Sequence, residues 1–520
     1  MGRRTLGIAA RLVGAAVAGW CGMVAGTAQA QTSQAWTWCE NKDNAPADLQ
    51  ISGCTTVIQS GNENEKNLSV AFNNRGNAFR TKGDLDTALA DYNQAIRLDP
   101  NNAYPYNGRG NVYSDRSDYD RAIADFTQSI RIDPNYAMPY SNRGYAYADK
   151  GDYDRAIVDY DTAIRLNPRF AYAYNGRGNA YNDKRDYDRA IADYSQAIRL
   201  DATYAWPHVG RGNAYRSKGD IDTALADYNE ALRIDPNNAF AYNGRGNIHG
   251  DKDDYDRALA DYDQAIRINP KFSTAYNNRG YAYSRKENYD RALADYTEAI
   301  RLDPRYALAY DNRGDAYRAK REYDRAIADY TEAIRIDPKY TMAYTDRGDI
   351  YRLKGENDRA ITDYNEALRI NPNYTGAING RSIAYVNKDM YDQAIQGYDQ
   401  LIGLQPRVAS WWNYRCWDRA ILERLQAALA DCNEAVRLKP NDADILDSRG
   451  LVYLKLAQFD QAIADYDAVL KLSPQEARSL YGRGLAKRKK GDAAGGAADM
   501  AAATAIRPDV AMEFARYGVR

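Results

Sequence analysis

The sequence predicts an all-α solenoid of thirteen helical hairpins, and three observations carry that prediction. An Arg followed by a small residue returns every 34 residues, from Gly76 to Gly484, with no insertion or deletion. Within each period large aromatic residues recur at spacings of three and four, which places them on one helical face. Proline then closes twelve of the thirteen periods, at the point where a helix must stop. A fixed period of this length marks a stacked repeat and overrides the domain count that 520 residues would otherwise suggest.

The first element is a targeting segment. Arg3, Arg4 and Arg11 flank an apolar stretch over residues 12–25, and Ala28-Gln29-Ala30 offers the small residues that a signal peptidase requires. Residues 1–30 therefore read as a cleaved export signal, and the mature chain as exported and periplasmic, with secretion as the alternative. The apolar stretch is too short for an ordinary transmembrane span, and nothing later approaches twenty apolar residues. Thr5-Leu6-Gly7 after the Arg pair favours the general secretory route over the twin-arginine one. Bulky Trp20 before Cys21 argues against lipidation.

Residues 31–68 follow as an N-terminal cap, with one helix expected from Leu49 to Ser60. The array proper spans residues 69–510, numbered here by repeat position 1 to 34. Position 4 is mostly aromatic (Tyr106, Tyr140, Tyr174, Trp412), position 8 mostly Gly, and position 11 mostly Tyr or Phe (Phe79, Tyr113, Tyr147). Position 20 is Ala in twelve units, position 24 is mainly Tyr (Tyr92, Tyr160, Tyr194) and position 27 mainly Ala, which gives a second amphipathic helix. Pro follows at position 32 (Pro100, Pro134, Pro168), with Ala202 as the exception. Residues 511–520 close the other end.

This arrangement resembles the tetratricopeptide repeat (TPR), with large residues at 4, 11 and 24, small ones at 8, 20 and 27, and Pro at 32. The resemblance covers the thirteen units and is that of an exported bacterial TPR protein. It implies a right-handed superhelical solenoid with a concave groove that binds other proteins or extended peptides. One departure stands out: position 7, commonly Leu in the family, is Arg in all thirteen units, from Arg75 to Arg483.

Position 23 is Asp in twelve units, with Gly397 as the exception. An Arg–Asp pair is therefore expected, within each hairpin or between neighbouring hairpins, because a planar guanidinium can hold a carboxylate in fixed geometry. The bland alternative is a solvated surface pair. Cysteines after the leader form two sets, Cys39 with Cys54 and Cys416 with Cys432. Cys416 stands at position 8 and Cys432 at position 24, both expected to face the hairpin interior. Two disulfides are the expectation for an exported chain; the rival is a redox or metal-binding thiol, for which there is no C-x-x-C spacing.

Composition excludes several chemistries. With 70 Lys+Arg against 71 Asp+Glu there is no bulk attraction to nucleic acid, and two His residues cannot build a histidine metal cluster. His208 and His249 replace Tyr at positions 4 and 11 and read as packing residues. Gly-Arg-Gly-Asn, as at Gly108 to Asn111, lacks the third glycine and the Lys-Ser/Thr ending of a phosphate loop. Asp-Tyr-Asp-Arg runs such as Asp152 to Arg155 place acid at helix starts, where it suits the dipole. No catalytic set, cofactor or metal site is expected.

Two features exceed scaffold needs. By resemblance, positions 2, 5, 9 and 12 of the first helix line the groove, and position 5 is Asn at Asn73, Asn107, Asn175, Asn243 and Asn277. Asn379 and Asn413 extend that set, and position 9 is Asn at Asn77, Asn111, Asn179, Asn213 and Asn247. Asn is a poor helix former, and its amide can both donate to and accept from a peptide backbone. The pattern resembles the asparagine ladder in the repeat superhelix of O-linked N-acetylglucosamine transferase; copying by tandem duplication is the alternative. After Gly380 position 9 turns apolar, and Trp411, Trp412 and Trp417 cluster in one unit. Trp411 and Trp417 are candidate partner anchors, against the alternative that they cap the array. The basic run Lys487 to Lys490 reads as a solvated helix end. The expected function is a non-catalytic interaction scaffold; a glycan-binding protein or hydrolase using an acidic, Tyr-rich groove is the alternative.

Overall fold

Helix capping and glycine packing shape each hairpin of the computed structural model, which describes residues 33–42 and 44–519. The expected leader, residues 1–30, lies outside the described residues. Every described element is a helix. The chain divides into two compact units, ending at Ile268 and beginning at Asn269. The first holds the helical residues 33–39, a helix at Ala47–Gln59, and hairpins from Glu65–Thr81 with Leu85–Leu98 to Ala239–Asp251 with Tyr255–Ile268. The second runs from Ser273–Arg285 with Tyr289–Leu302 to Ala477–Lys490 with Ala493–Ile506, and ends in the short helix Val510–Arg516.

Each hairpin turns at position 15, which adopts positive φ whether it is Gly (Gly83, Gly151, Gly219) or not (Ser117, Arg185, Glu423). That left-handed residue lets the next amide return to the first helix, as Asp118 N–H does to the Tyr113 carbonyl at 2.8 Å. Where position 16 is Asp it caps the second helix: the Asp118 and Asp152 carboxylates accept from the backbone N–H groups of Arg121 and Arg155. The recurring Asp-Tyr-Asp-Arg run is thus a turn and a cap. The first hairpin begins at Glu65, upstream of the expected position 69, because Asn64 caps it by accepting from Asn67 N–H.

The core of most hairpins is a Tyr ring set against glycine. A Cβ on Gly212, at position 8, would lie 3.0 Å from Tyr228, and one on Gly244, at position 6 of the next repeat, only 2.4 Å away. The ring of position 24 therefore fills the space that two absent side chains leave, one in its own repeat and one in the next. This accounts for Gly-Arg-Gly without any phosphate: both glycines sit inside helices against rings.

Between those glycines lies the repeated Arg. Its guanidinium forks onto the Asp sixteen residues on, within the same hairpin: Arg245 Nε donates to Asp261 Oδ2 at 2.9 Å and Nη2 to Oδ1 at 2.7 Å. Twelve repeats repeat the pair, from Arg75–Asp91 to Arg483–Asp499, and the Asp carboxylates are buried. The third nitrogen reaches back one repeat, as Arg245 Nη1 does to Asn229 Oδ1 at 2.9 Å. One residue thus links both helices of its hairpin to the preceding hairpin. The exception is coherent: where Gly397 replaces Asp, Ser382 replaces Gly at position 8, and a Cβ on Gly397 would fall 2.0 Å from the Ser382 hydroxyl.

Cys39 is bonded to Cys54 and Cys416 to Cys432, with Cα separations of 4.5 and 5.4 Å. The second bridge occupies the place of the Gly–Tyr contact. The first joins a small core with Ala35, Val57 and Ala71, which seats the N-terminal segment on the first repeat. Val510 and Phe514 of the last helix are buried against the final repeats. Among the described residues no helix is long and apolar enough to cross a membrane.

Candidate partner-binding surfaces

Positions 2, 5 and 9 of the first helix share one face, being three and four residues apart. Position 2 carries large exposed apolar side chains through the first unit: Tyr104, Met138, Tyr172, Trp206 and Phe240. Tyr104 packs on Tyr136 at 4.9 Å between centroids, Tyr172 on Tyr204 at 4.7 Å, and Trp206 on Phe240 at 5.2 Å. Rings packed at a tilt against neighbouring rings are held in place, so the stripe presents apolar surface at low entropic cost. In the second unit Leu308 and Met342 continue it, and then Gly376, Ser410, Asp444 and Arg478 replace it. The readable signal was a position that stays large and apolar in most repeats of the first unit although no core contact demands it.

The Asn positions divide into two sets. At position 5, Asn73, Asn107, Asn243 and Asn277 are buried, and Asn175 is half-buried. They bond to one another's neighbours, as Asn142 Nδ2 does to Asn107 Oδ1 at 2.9 Å, so they do not form the open ladder expected of them. The adjacent repeat packs against that side and leaves these side chains little exposure. At position 9, the Tyr hydroxyl of position 24 donates to the amide oxygen: Tyr92 to Asn77, Tyr194 to Asn179, Tyr228 to Asn213 and Tyr262 to Asn247, all within 2.8 Å. A buried phenol needs an acceptor, and Asn supplies it. Tyr330 and Tyr364 use Asp315 and Asp349 instead. Asn111 faces Phe126, which has no hydroxyl, and in repeat 12 Leu451 offers no acceptor, leaving the Tyr466 hydroxyl unpartnered. The Asn at position 9 is thus partly structural, while Asn77, Asn179 and Asn213 remain exposed residues.

Trp411 and Trp417 are half-buried. Trp411 packs against the core of repeats 9 and 10. Trp417 meets the Tyr517 ring edge-on at 5.0 Å and carries the Arg478 guanidinium at 5.6 Å. Both therefore have partners within the chain. Trp417 also lines a cavity of about 380 Å³ in the second unit. In the basic run, Lys487 pairs with Asp499 and Lys490 with Asp460. His208 is buried with Nδ1 3.0 Å from Asp227, a packing place with a hydrogen bond added. Among the described residues no group of three or more His, Cys, Asp or Glu is placed to hold a metal.

Repeats 8 and 9 carry acid where their neighbours carry Asn. Asp311 at position 5 is buried, accepts from the Tyr340 hydroxyl at 3.0 Å, and has Oδ1 without a partner. Burial foremost, then Asp315, pushes its carboxyl up to about 7; burial pushes Asp346 up to about 8. The folded chain thus holds protons that the unfolded chain has lost above the ordinary carboxylate range, so stability falls as pH rises from about 4 through about 8. Asp311→Asn is expected to leave urea stability at pH 4 nearly unchanged and to raise it at pH 8 by on the order of 2 kcal/mol. Equal changes at the two pH values would refute this.

The chain belongs to the tetratricopeptide repeat family. A TPR repeat model matches residues 76–115, 110–151, 144–184, 178–215 and 212–253. Tetratricopeptide repeat models match 239–272 and 273–306, and 312–375, 380–443 and 448–511. Comparison with curated proteins gives no match. Among solved structures the chain is similar to one described as the APC/C hetero-tetramer Cut9-Hcn1, at 14% identity and TM-score 0.50, over 86% of this chain and 95% of that one. It is also similar to a tetratricopeptide repeat protein from Parabacteroides merdae ATCC 43184, at 23% identity and TM-score 0.39, over 48% and 98%. A third likeness is to YrrB, a TPR protein with an unusual peptide-binding site, at 27% identity and TM-score 0.28, over 35% and 95%. The family and the repeat fold support the class of protein-interaction scaffold.

Proposed function

We propose that this protein is a non-catalytic adaptor of an exported, periplasmic compartment that holds extended polypeptide segments along the first-helix face of its repeats. The observation that carries the reading is the exposed stripe at position 2, Tyr104, Met138, Tyr172, Trp206 and Phe240, beside the exposed position 9 residues Asn179 and Asn213. Apolar anchors supply affinity without demanding a sequence, and an amide nitrogen can donate to a peptide carbonyl. The leader-like residues 1–30 support export, and two disulfides are stable where the surroundings are oxidising.

A photo-crosslinking residue at position 172 or 206 is expected to capture partners in intact cells, and one at Val158, exposed on a second helix, is not. Tyr172→Ala with Trp206→Ala should lower recovery at least about tenfold, the loss of two anchors, with an unchanged melting curve. Changing Asn179 and Asn213 to Asp, which keeps an acceptor for Tyr194 and Tyr228 as Asp315 does for Tyr330 but removes the amide N–H, should weaken it further. Equal capture from both faces would remove the proposal, and a cytoplasmic chain retaining residues 1–30 would remove the export reading.

A further inference from the structure

The cavity in the second unit has a donor-hungry interior. It is lined by repeats 10 to 13, with Ile383, Val386 and Ile445 as its apolar wall and Asn413 and Asp418 among its polar residues. Asp418 is only 2% exposed and its Oδ2 has no hydrogen-bond partner; Asn413 is 7% exposed and its Oδ1 has none. Both orphan atoms are acceptors. A buried carboxylate oxygen without a donor costs several kcal/mol unless something supplies one.

Among the described residues no cation is paired with this acid. The lining cation, Arg478, is engaged elsewhere, over the Trp417 ring and 3.5 Å from Asp447. Asp442 and Asp444 add negative charge to the lining; Asp442 pairs with Lys439 at 2.7 Å and caps the following helix. Of the phenols nearby, Tyr398 lines the cavity and Tyr391 lies close to Asp418; burial foremost pushes both hydroxyls up, so neither supplies charge. A ligand suited to this place brings N–H donors and positive charge on an apolar stem.

We propose that the cavity takes the ammonium or guanidinium end of a lysine or arginine side chain from an extended partner polypeptide, with Asp418 and Asn413 as its acceptors. The proposal rests on the polypeptide-binding reading above and names the residue that this unit selects. The aliphatic stem lies against Ile383, Val386 and Ile445, and the charged end restores the missing donors. Burial pushes the Asp418 carboxyl up to about 7. The cation binds the ionised form, so affinity weakens as pH falls from 8 to 6.

The test is calorimetric titration of the full chain with acetylated, amidated alanine heptapeptides whose central residue is lysine, arginine, norleucine or glutamate. The lysine and arginine peptides are expected to bind at least tenfold tighter than the norleucine and glutamate ones at pH 8. Asp418→Asn should abolish that preference, and so should Ser410→Arg, a change at an exposed lining position that leaves folding intact. Equal binding of lysine and norleucine, or a preference that survives Asp418→Asn, overturns the proposal. So does putrescine displacing the lysine peptide with equal affinity, which would make the site one for free amines. Absence of any peptide binding also overturns it; the crosslinks at positions 172 and 206 lie in the other unit and report on the general reading separately.

Discussion

Arg245→Leu is expected to destabilise its part of the array by about 3 kcal/mol, the range seen when one member of a buried pair is removed. The substitution restores the residue type that the family commonly has at this position, so a naive consensus argument predicts the opposite sign. Asp261 decides the matter. Its carboxylate is 6% exposed and receives two guanidinium bonds. Leucine fills the volume but leaves that buried charge with only the His249 ring nitrogen, 3.8 Å away, and cuts the bond back to Asn229 as well. The contrasting change is Lys252→Leu, which removes an exposed pair with Asp222 at 2.8 Å and should cost under about 1 kcal/mol. In a repeat array a single melting temperature averages over units, so the readout is amide hydrogen exchange across residues 239–268. Faster exchange for Arg245→Leu confined to this hairpin and its neighbour is the expected result; the same protection as for Lys252→Leu would overturn it.

The Arg–Asp pair was legible because both members keep strict phase, and a period shared by two opposite charges implies a shared geometry. The disulfide at Cys416 and Cys432 was legible for a related reason: both cysteines interrupt positions that otherwise hold a contacting pair. The wedge of Tyr228 against Gly244 was not, because it joins two repeats, and a frame drawn inside one repeat assigns no partner to position 6. The double life of the Asn stripe was missed for a different reason. Propensity says that Asn in a helix needs a cause, and a ligand was the cause that came first; the cause nearer at hand was a phenol fifteen residues on. The sequence carries that clue at Phe126 and Leu451, where one member of the pair changes. The cavity beside Asp418 was beyond reach, since its emptiness depends on where the side chains of four repeats stop.

Tyr228→Ala should cost about 4 kcal/mol, the middle of the range for emptying a buried aromatic site. The ring is fully buried, and the helices that hold Gly212 and Gly244 are set at a spacing that the ring defines. Tyr228→Phe should cost only about 1 kcal/mol, since it removes the bond to Asn213 and keeps the ring; repeat 2 already carries Phe126 at this position. The sharper test lies in combining the change with Gly244→Ala. Alone, that alanine places a Cβ 2.4 Å from the ring, and overpacking of about 1–3 kcal/mol outweighs the roughly 1 kcal/mol that alanine gains over glycine in a helix. In the Tyr228→Ala background the ring is gone and only the helix gain remains, so the same substitution becomes stabilising. A double-mutant cycle read by hydrogen exchange over repeats 5 and 6 should therefore show Gly244→Ala reversing sign. If Gly244→Ala has one sign in both backgrounds, the glycine serves some purpose other than room for the ring.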